Sequence, residues 1–259
     1  MSQHKTSNIS NVQLPIKFWS QHTMPMEGTC CICALTSVLN FFGFVDLLPT
    51  DVLDIALQFD MFSKLGNGMS GSNLIKLAKW FCVDNDAEQQ NQKDDNSAIK
   101  HLGSQQQLEY GYLTDWEPEQ AYTVLEKHLL ASNPAPVIVA FKFDLQTNME
   151  AEGHAAVLCG INCETKFVTV VDSFSKIATR TKPKEKFPHG KIKWTHTPGT
   201  FQAHFFDEFD PAWNTQDYNG AVDVSNDPAF ADYDASQEGK RFYLVIRPPF
   251  SKQALEKFS

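Results

Sequence analysis

The sequence predicts an α+β fold with an antiparallel sheet. Helical periodicities come first along the chain and strand-like apolar runs follow. Two of those runs are joined by a short hairpin-like link, Asn162-Cys163-Glu164-Thr165-Lys166. Helices segregated from a run of strands mark α+β architecture rather than alternating βαβ units. The 259 residues, 42% hydrophobic, suit a single domain spanning 1–259 with a core over about 14–250.

The first helix is read over Cys30–Gly43. Apolar residues recur at 32, 35, 38, 39 and 42, a period near 3.6. Thr29 is placed to cap its start and Gly43 to stop it. A second helical pattern covers Pro49–Phe62, opened by Thr50 and Asp51, and the glycines from Gly66 to Gly71 break the chain. Helix is predicted again over Ser72–Phe81, where Leu74, Leu77, Ala78 and Phe81 share one side, and over Glu117–Ala131.

Residues 84–107, rich in Asn, Gln, Asp and Lys, have little to bury and read as a polar surface insertion. Strands are expected at Pro136–Phe143, His154–Ile161, Phe167–Phe174 and Arg241–Arg247, the last closed by Pro248-Pro249. Residues 175–238 read as loops and irregular segments around the sheet. Nine acids between Asp207 and Glu238 read there as a solvated surface without calcium-loop spacing.

The net charge of −9 and the lack of a basic stripe argue against nucleic acid and anionic membranes as partners. The polar start Met1–Asn8 is not followed by an apolar signal region, and no apolar run reaches 18 residues. The expectation is a soluble, cytoplasmic protein, with non-classical secretion left open. Six cysteines (30, 31, 33, 82, 159 and 163) read as thiols in that compartment.

Cys30 carries the chemistry. At a helix start it faces unpaired amides, which favour the thiolate, the nucleophilic form. His154 follows Gly153 at the start of an apolar strand, where a histidine is locally out of place. Asp172 lies near the end of the next strand. A tight hairpin at 162–166 brings both to one open end, where Asp172 can orient the imidazole and His154 can exchange a proton with Cys30. The Cys30 N–H and the side-chain amide of Gln21 are candidates for an oxyanion hole.

The segment Gly28–Gly43, with Cys30 followed by Ala34-Leu35, Val38-Leu39 and Asn40, resembles the nucleophile helix of the phytochelatin synthases. These are papain-like cysteine acyltransferases that act on glutathione. The block from Gly153-His154 through Gly160, Asn162 and Glu164 to Asp172 is similar to that family's His/Asp hairpin. Lys240-Arg241-Phe242-Tyr243-Leu244-Val245-Ile246-Arg247-Pro248 is similar to the end of its catalytic domain. Three departures stand out. Cys31 replaces a glycine, Gln21 lies nine rather than six residues before the cysteine, and Ser175-Lys176 stand where an arginine is usual.

The resemblance implies a papain-like fold and a short, single-domain form. It implies cleavage of the Cys–Gly bond of glutathione through a γ-glutamylcysteinyl thioester on Cys30, with transfer to water or to a second glutathione. Arg241, with Lys240 beside it, is the candidate for the γ-glutamyl carboxylate, Asp234 for the ammonium, and Gly153 for the substrate side of His154.

No cofactor is expected to be required and no protein-held metal. Cadmium or zinc would enter as glutathione thiolate complexes, and a homodimer is compatible. Two other readings are a papain-like peptidase acting on proteins or peptides, and a non-catalytic thiol module holding soft metals through Cys30, Cys31 and Cys33. For the latter, helical geometry brings residues 30 and 33 together and turns 31 away.

Overall fold

The computed structural model describes residues 11–64, 68–82, 107–113, 116–142, 153–173, 193–194, 199–213 and 241–258. In chain order these form β1 (Asn11–Gln13), a 3-10 turn (Gln21–Thr23), α1 (Cys30–Phe41), α2 (Pro49–Gln58), α3 (Gly71–Phe81) and β2 (Leu108–Leu113). Then come α4 (Pro118–Leu129), β3 (Val137–Lys142), β4 (Gly153–Asn162), β5 (Phe167–Val171), β6 (Lys193–Trp194) and β7 (Thr200–His204). A π-helical turn (Phe205–Phe209), α5 (Asp210–Trp213), β8 (Arg241–Ile246) and α6 (Lys252–Phe258) complete the order.

The strands form one antiparallel sheet in the order β2-β8-β3-β4-β5-β7-β6. β1 pairs with the far end of β4, at Gly160–Asn162, on the side β3 occupies further back. The sheet is α+β as the sequence order predicts.

α1 is the helix around which the rest is built. From Ile32 to Asn40 every residue is buried, and Ile32, Leu35 and Leu39 have no exposure at all. Burying one such side chain is worth roughly 1.5–3 kcal/mol. A helix apolar nearly all round must be surrounded, and α1 packs on β4 and β3 on one side and α2 on another. Gly43 ends it with φ +109°, a left-handed conformation that a side chain would strain. Thr29 stands at the cap position but its side chain makes no capping bond, its hydroxyl lying 3.5 Å from the Met26 carbonyl oxygen.

The β4–β5 hairpin turns as expected. Asn162 Oδ1 accepts from the Glu164 and Thr165 amides at 3.0 Å each, and Lys166 takes φ +58°. Its register is interrupted once. Gly160 pairs with Thr169, but Leu158 pairs with Val170, which leaves Cys159 as an extra residue in β4.

Part of the region read as irregular is strand. β7 pairs along β5, with Phe201 and Ala203 buried and Gln202 exposed. The acidic stretch is not wholly solvated either, since Asp210 and Glu208 are buried. The polar insertion read at 84–107 falls almost entirely outside the described residues.

Candidate active site

Continuing the β4–β5 register past Val157–Val171 sets Asp172 opposite Ala156. His154 is two residues from Ala156 along β4, on the same face and diagonal to Asp172. The bulge decides this. In the register of the hairpin end, Asp172 would face Val157 and project from the other side of the sheet. A Cβ at Gly160, beside the bulge, would lie 3.0 Å from both the Val12 carbonyl oxygen and the Thr169 side chain, so glycine suits the close approach of β1 there.

His154 Nε2 lies 2.5 Å from Asp172 Oδ1, with both residues buried. A contact this short is typical of a charge-assisted bond. The ring's other side interacts with Cys30, the first residue of α1, leaving Nδ1 as the nitrogen for the thiol. Cys30 is 8% exposed.

Asp172 is fixed from behind. Its N–H donates to the Gly199 carbonyl at 2.6 Å, and Gly199 has φ +75° with the Phe18 ring pressed against it where a Cβ would stand.

The electrostatics favour an ion pair. A hydrogen bond from the Cys31 thiol lowers Cys30 most. Burial opposes this, but His154 and the Ala155 amide lower it further, and the thiol ends well below its ordinary range. Burial alone would pull His154 down. The Asp172 carboxylate and the Cys30 thiolate outweigh it and bring the imidazolium up to about 10. Both shifts run in the direction that favours a thiolate beside an imidazolium.

Gln21 is tied to Ser173, the residue after Asp172. Its N–H donates to the Ser173 carbonyl at 3.0 Å, and its Oε1 accepts from the Ser173 hydroxyl at 3.2 Å. That orients Nε2 as its donor end. Gly153 opens β4 immediately before His154.

The assignment of Arg241 to a substrate carboxylate is corrected. Its guanidinium is 1% exposed and bidentate on Asp210, Nε to Oδ1 at 2.6 Å and Nη2 to Oδ2 at 2.8 Å, while Nη1 donates to the Trp116 carbonyl at 2.6 Å. Three of its five N–H donors are spent on these partners within the fold. Lys240 and Asp234 lie outside the described residues.

Cys31, the second residue of α1, is half-buried beside Cys30. Among the described residues, no group of three or more His, Cys, Asp or Glu is placed to hold a metal ion. Among the same residues, no helix is long and apolar enough to cross a membrane.

A thiolate at the start of a buried helix, facing a histidine and an aspartate on an antiparallel sheet, defines a cysteine-nucleophile enzyme of papain-like fold. The chain belongs to the Peptidase_C39 like family, whose model matches residues 13–200. That stretch contains Cys30, His154 and Asp172. Xylellain, a cysteine protease from Xylella fastidiosa, is similar in structure with a TM-score of 0.48 at 14% identity, over 93% of this chain and 86% of that one. None of the curated proteins matches this chain.

Proposed function

We propose that this protein is a cysteine hydrolase that cleaves a peptide bond through a thioester on Cys30. The observation that supports it is the His154 ring held between Asp172 and the Cys30 thiol at the start of α1. The thiolate attacks the carbonyl carbon. The oxyanion that develops accepts hydrogen bonds from the Cys30 N–H, which has no partner within the helix, and from Gln21 Nε2. The His154 imidazolium passes its proton to the leaving amine, and the C–N bond breaks. Water then enters, gives a proton to the neutral imidazole and attacks the thioester. The acid leaves, and the Cys30 thiolate and His154 imidazolium are restored. Asp172 keeps the ring oriented and stabilises its charge throughout.

Family membership favours ordinary peptides as substrate. A second reading, glutathione cleaved to glycine and γ-glutamylcysteine with transfer to water or a second glutathione, rests on the resemblance of the Gly28–Gly43 and Gly153–Asp172 segments to phytochelatin synthases. With Arg241 engaged in the core, that reading needs another cation for the γ-glutamyl carboxylate.

Incubation with glutathione and, separately, with a mixture of α-linked peptides, followed by mass spectrometry of products and protein, separates the two. The peptidase reading expects cleaved peptides and intact glutathione. The glutathione reading expects free glycine and a γ-glutamylcysteinyl adduct on Cys30. No product and no adduct from either substrate would overturn both.

A further inference from the structure

α1 opens with Cys30-Cys31-Ile32-Cys33, so its first residue and the residue one turn on are both cysteines. No step of the proposed hydrolysis uses Cys33. It is 1% exposed. Burial, with the charge on Cys30 added, pushes its thiol up to about 12. A reactive thiolate at the helix start and a buried, protonated thiol three residues later make an unequal pair, as in C-x-x-C redox sites. In an α-helix, residues three apart have Cα atoms about 5 Å from one another, inside the range a disulfide needs. Cys31 is closer in sequence. A bridge between adjacent residues, however, closes a small ring across a planar trans peptide and strains it.

We propose that Cys30 and Cys33 form a reversible disulfide, making the first turn of α1 a thiol-oxidation site that switches the nucleophile off and protects it. The proposal rests on the reading of Cys30 as a reactive thiolate.

The oxidant is a peroxide. The Cys30 thiolate attacks one peroxide oxygen, an S–O bond forms and the O–O bond breaks. Cys30 is oxidised to the sulfenic acid, and the other oxygen leaves as hydroxide or water. The neutral sulfenic acid no longer opposes ionisation of Cys33. The Cys33 sulfur then attacks the Cys30 sulfur, the S–S bond forms, the S–O bond breaks, and water leaves with the Cys33 proton. An external dithiol returns two electrons and restores both thiols.

Brief exposure of the whole chain to hydrogen peroxide, followed by intact-mass measurement without reductant, tests this. The expected result is a loss of two hydrogens and loss of Cys30 alkylation by iodoacetamide, both restored by dithiothreitol. Cys33→Ala should retain hydrolytic activity yet abolish the loss of hydrogens, gaining oxygens on Cys30 that dithiothreitol does not remove. Cys33→Ser repeats the measurement with the side-chain volume nearly kept. Cys31→Ser should still lose two hydrogens.

A bridge that survives both Cys33 variants, or that disappears in Cys31→Ser, would overturn the assignment, as would direct passage of the wild-type chain to the sulfinic acid. The readout does not depend on substrate. A chain that cleaves peptides but never forms the bridge removes this inference alone, and one that forms it but cleaves nothing removes only the hydrolase reading.

Discussion

Two buried histidines among the described residues each face a carboxylate, and only one of them also faces a cysteine. His154 Nε2 stands 2.5 Å from Asp172, and His128 Nε2 stands 3.3 Å from Glu109. The difference lies on the other side of each ring. His154 faces the Cys30 thiol, a group able to give up a proton. His128 Nδ1 lies 2.9 Å from Arg247 Nη2, and a guanidinium can only donate. His128 Nδ1 is therefore the acceptor of that bond. Lys127 adds a further cation at 3.1 Å from Glu109, and the His128 ring sits 6.1 Å from that of Tyr243. The same His–carboxylate pair borders the nucleophile candidate in one place and joins β2, α4 and β8 in the other.

The largest expected effect separates these two sites directly. Cys30→Ala and His154→Ala should each lower turnover by at least about 10⁴-fold while thermal unfolding still reports a folded chain. His128→Gln should leave turnover within a few fold and cost about 1–3 kcal/mol in denaturant unfolding. A comparable loss of turnover in a folded His128→Gln protein would end the contrast.

Next in size is the core ion pair. Arg241→Ala leaves Asp210 charged and unpaired, and should destabilise the chain by about 3–5 kcal/mol with KM unchanged. A raised KM at unaltered stability would return Arg241 to the substrate.

The smallest effect is in pH dependence, and it has opposite signs at the two sites. His154 is raised from 6.5 to about 10, so its contribution to stability is complete below pH 6.5 and is lost as pH rises through about 10. The alkaline limb of kcat/KM should fall in the same range. Glu109 is moved from 4.5 to about 2: burial would raise it, but His128 and Lys127 outweigh that. Its contribution is complete above pH 4.5 and is lost as pH falls through about 2. Denaturant unfolding across pH, compared with Glu109→Gln, should lose the acid limb in the variant and keep the alkaline one.

Periodicity made the main helices legible, because α1, α3 and α4 each bury a continuous stripe, and it made β3, β4, β5 and β8 legible as apolar runs. β7 was readable in principle. Thr200-Phe201-Gln202-Ala203-His204 alternates inward and outward, but it is short and stands beside the acidic stretch that begins at Asp207. β1 has three residues and no pattern, since its pairing comes from β4.

In the site, residue types at element ends pointed to Cys30, His154 and Asp172, which the structure brings together. Partnerships distant in sequence were not legible. Asp210 and Arg241 look like surface charges until the fold places them 2.6 Å apart.

The extra residue at Cys159 means that the two ends of the β4–β5 hairpin differ in phase by one residue. Seen as a coding device, it decouples how the hairpin turns from which side its open end faces. The turn at 162–166 can vary in sequence and length under its own rules while the orientation of His154 relative to Asp172 is set elsewhere. Within this family, then, the length of β4 is the more informative quantity to follow. A relative that keeps all three residue types still lacks the alignment that joins two of them if the count between His154 and the turn has changed by one.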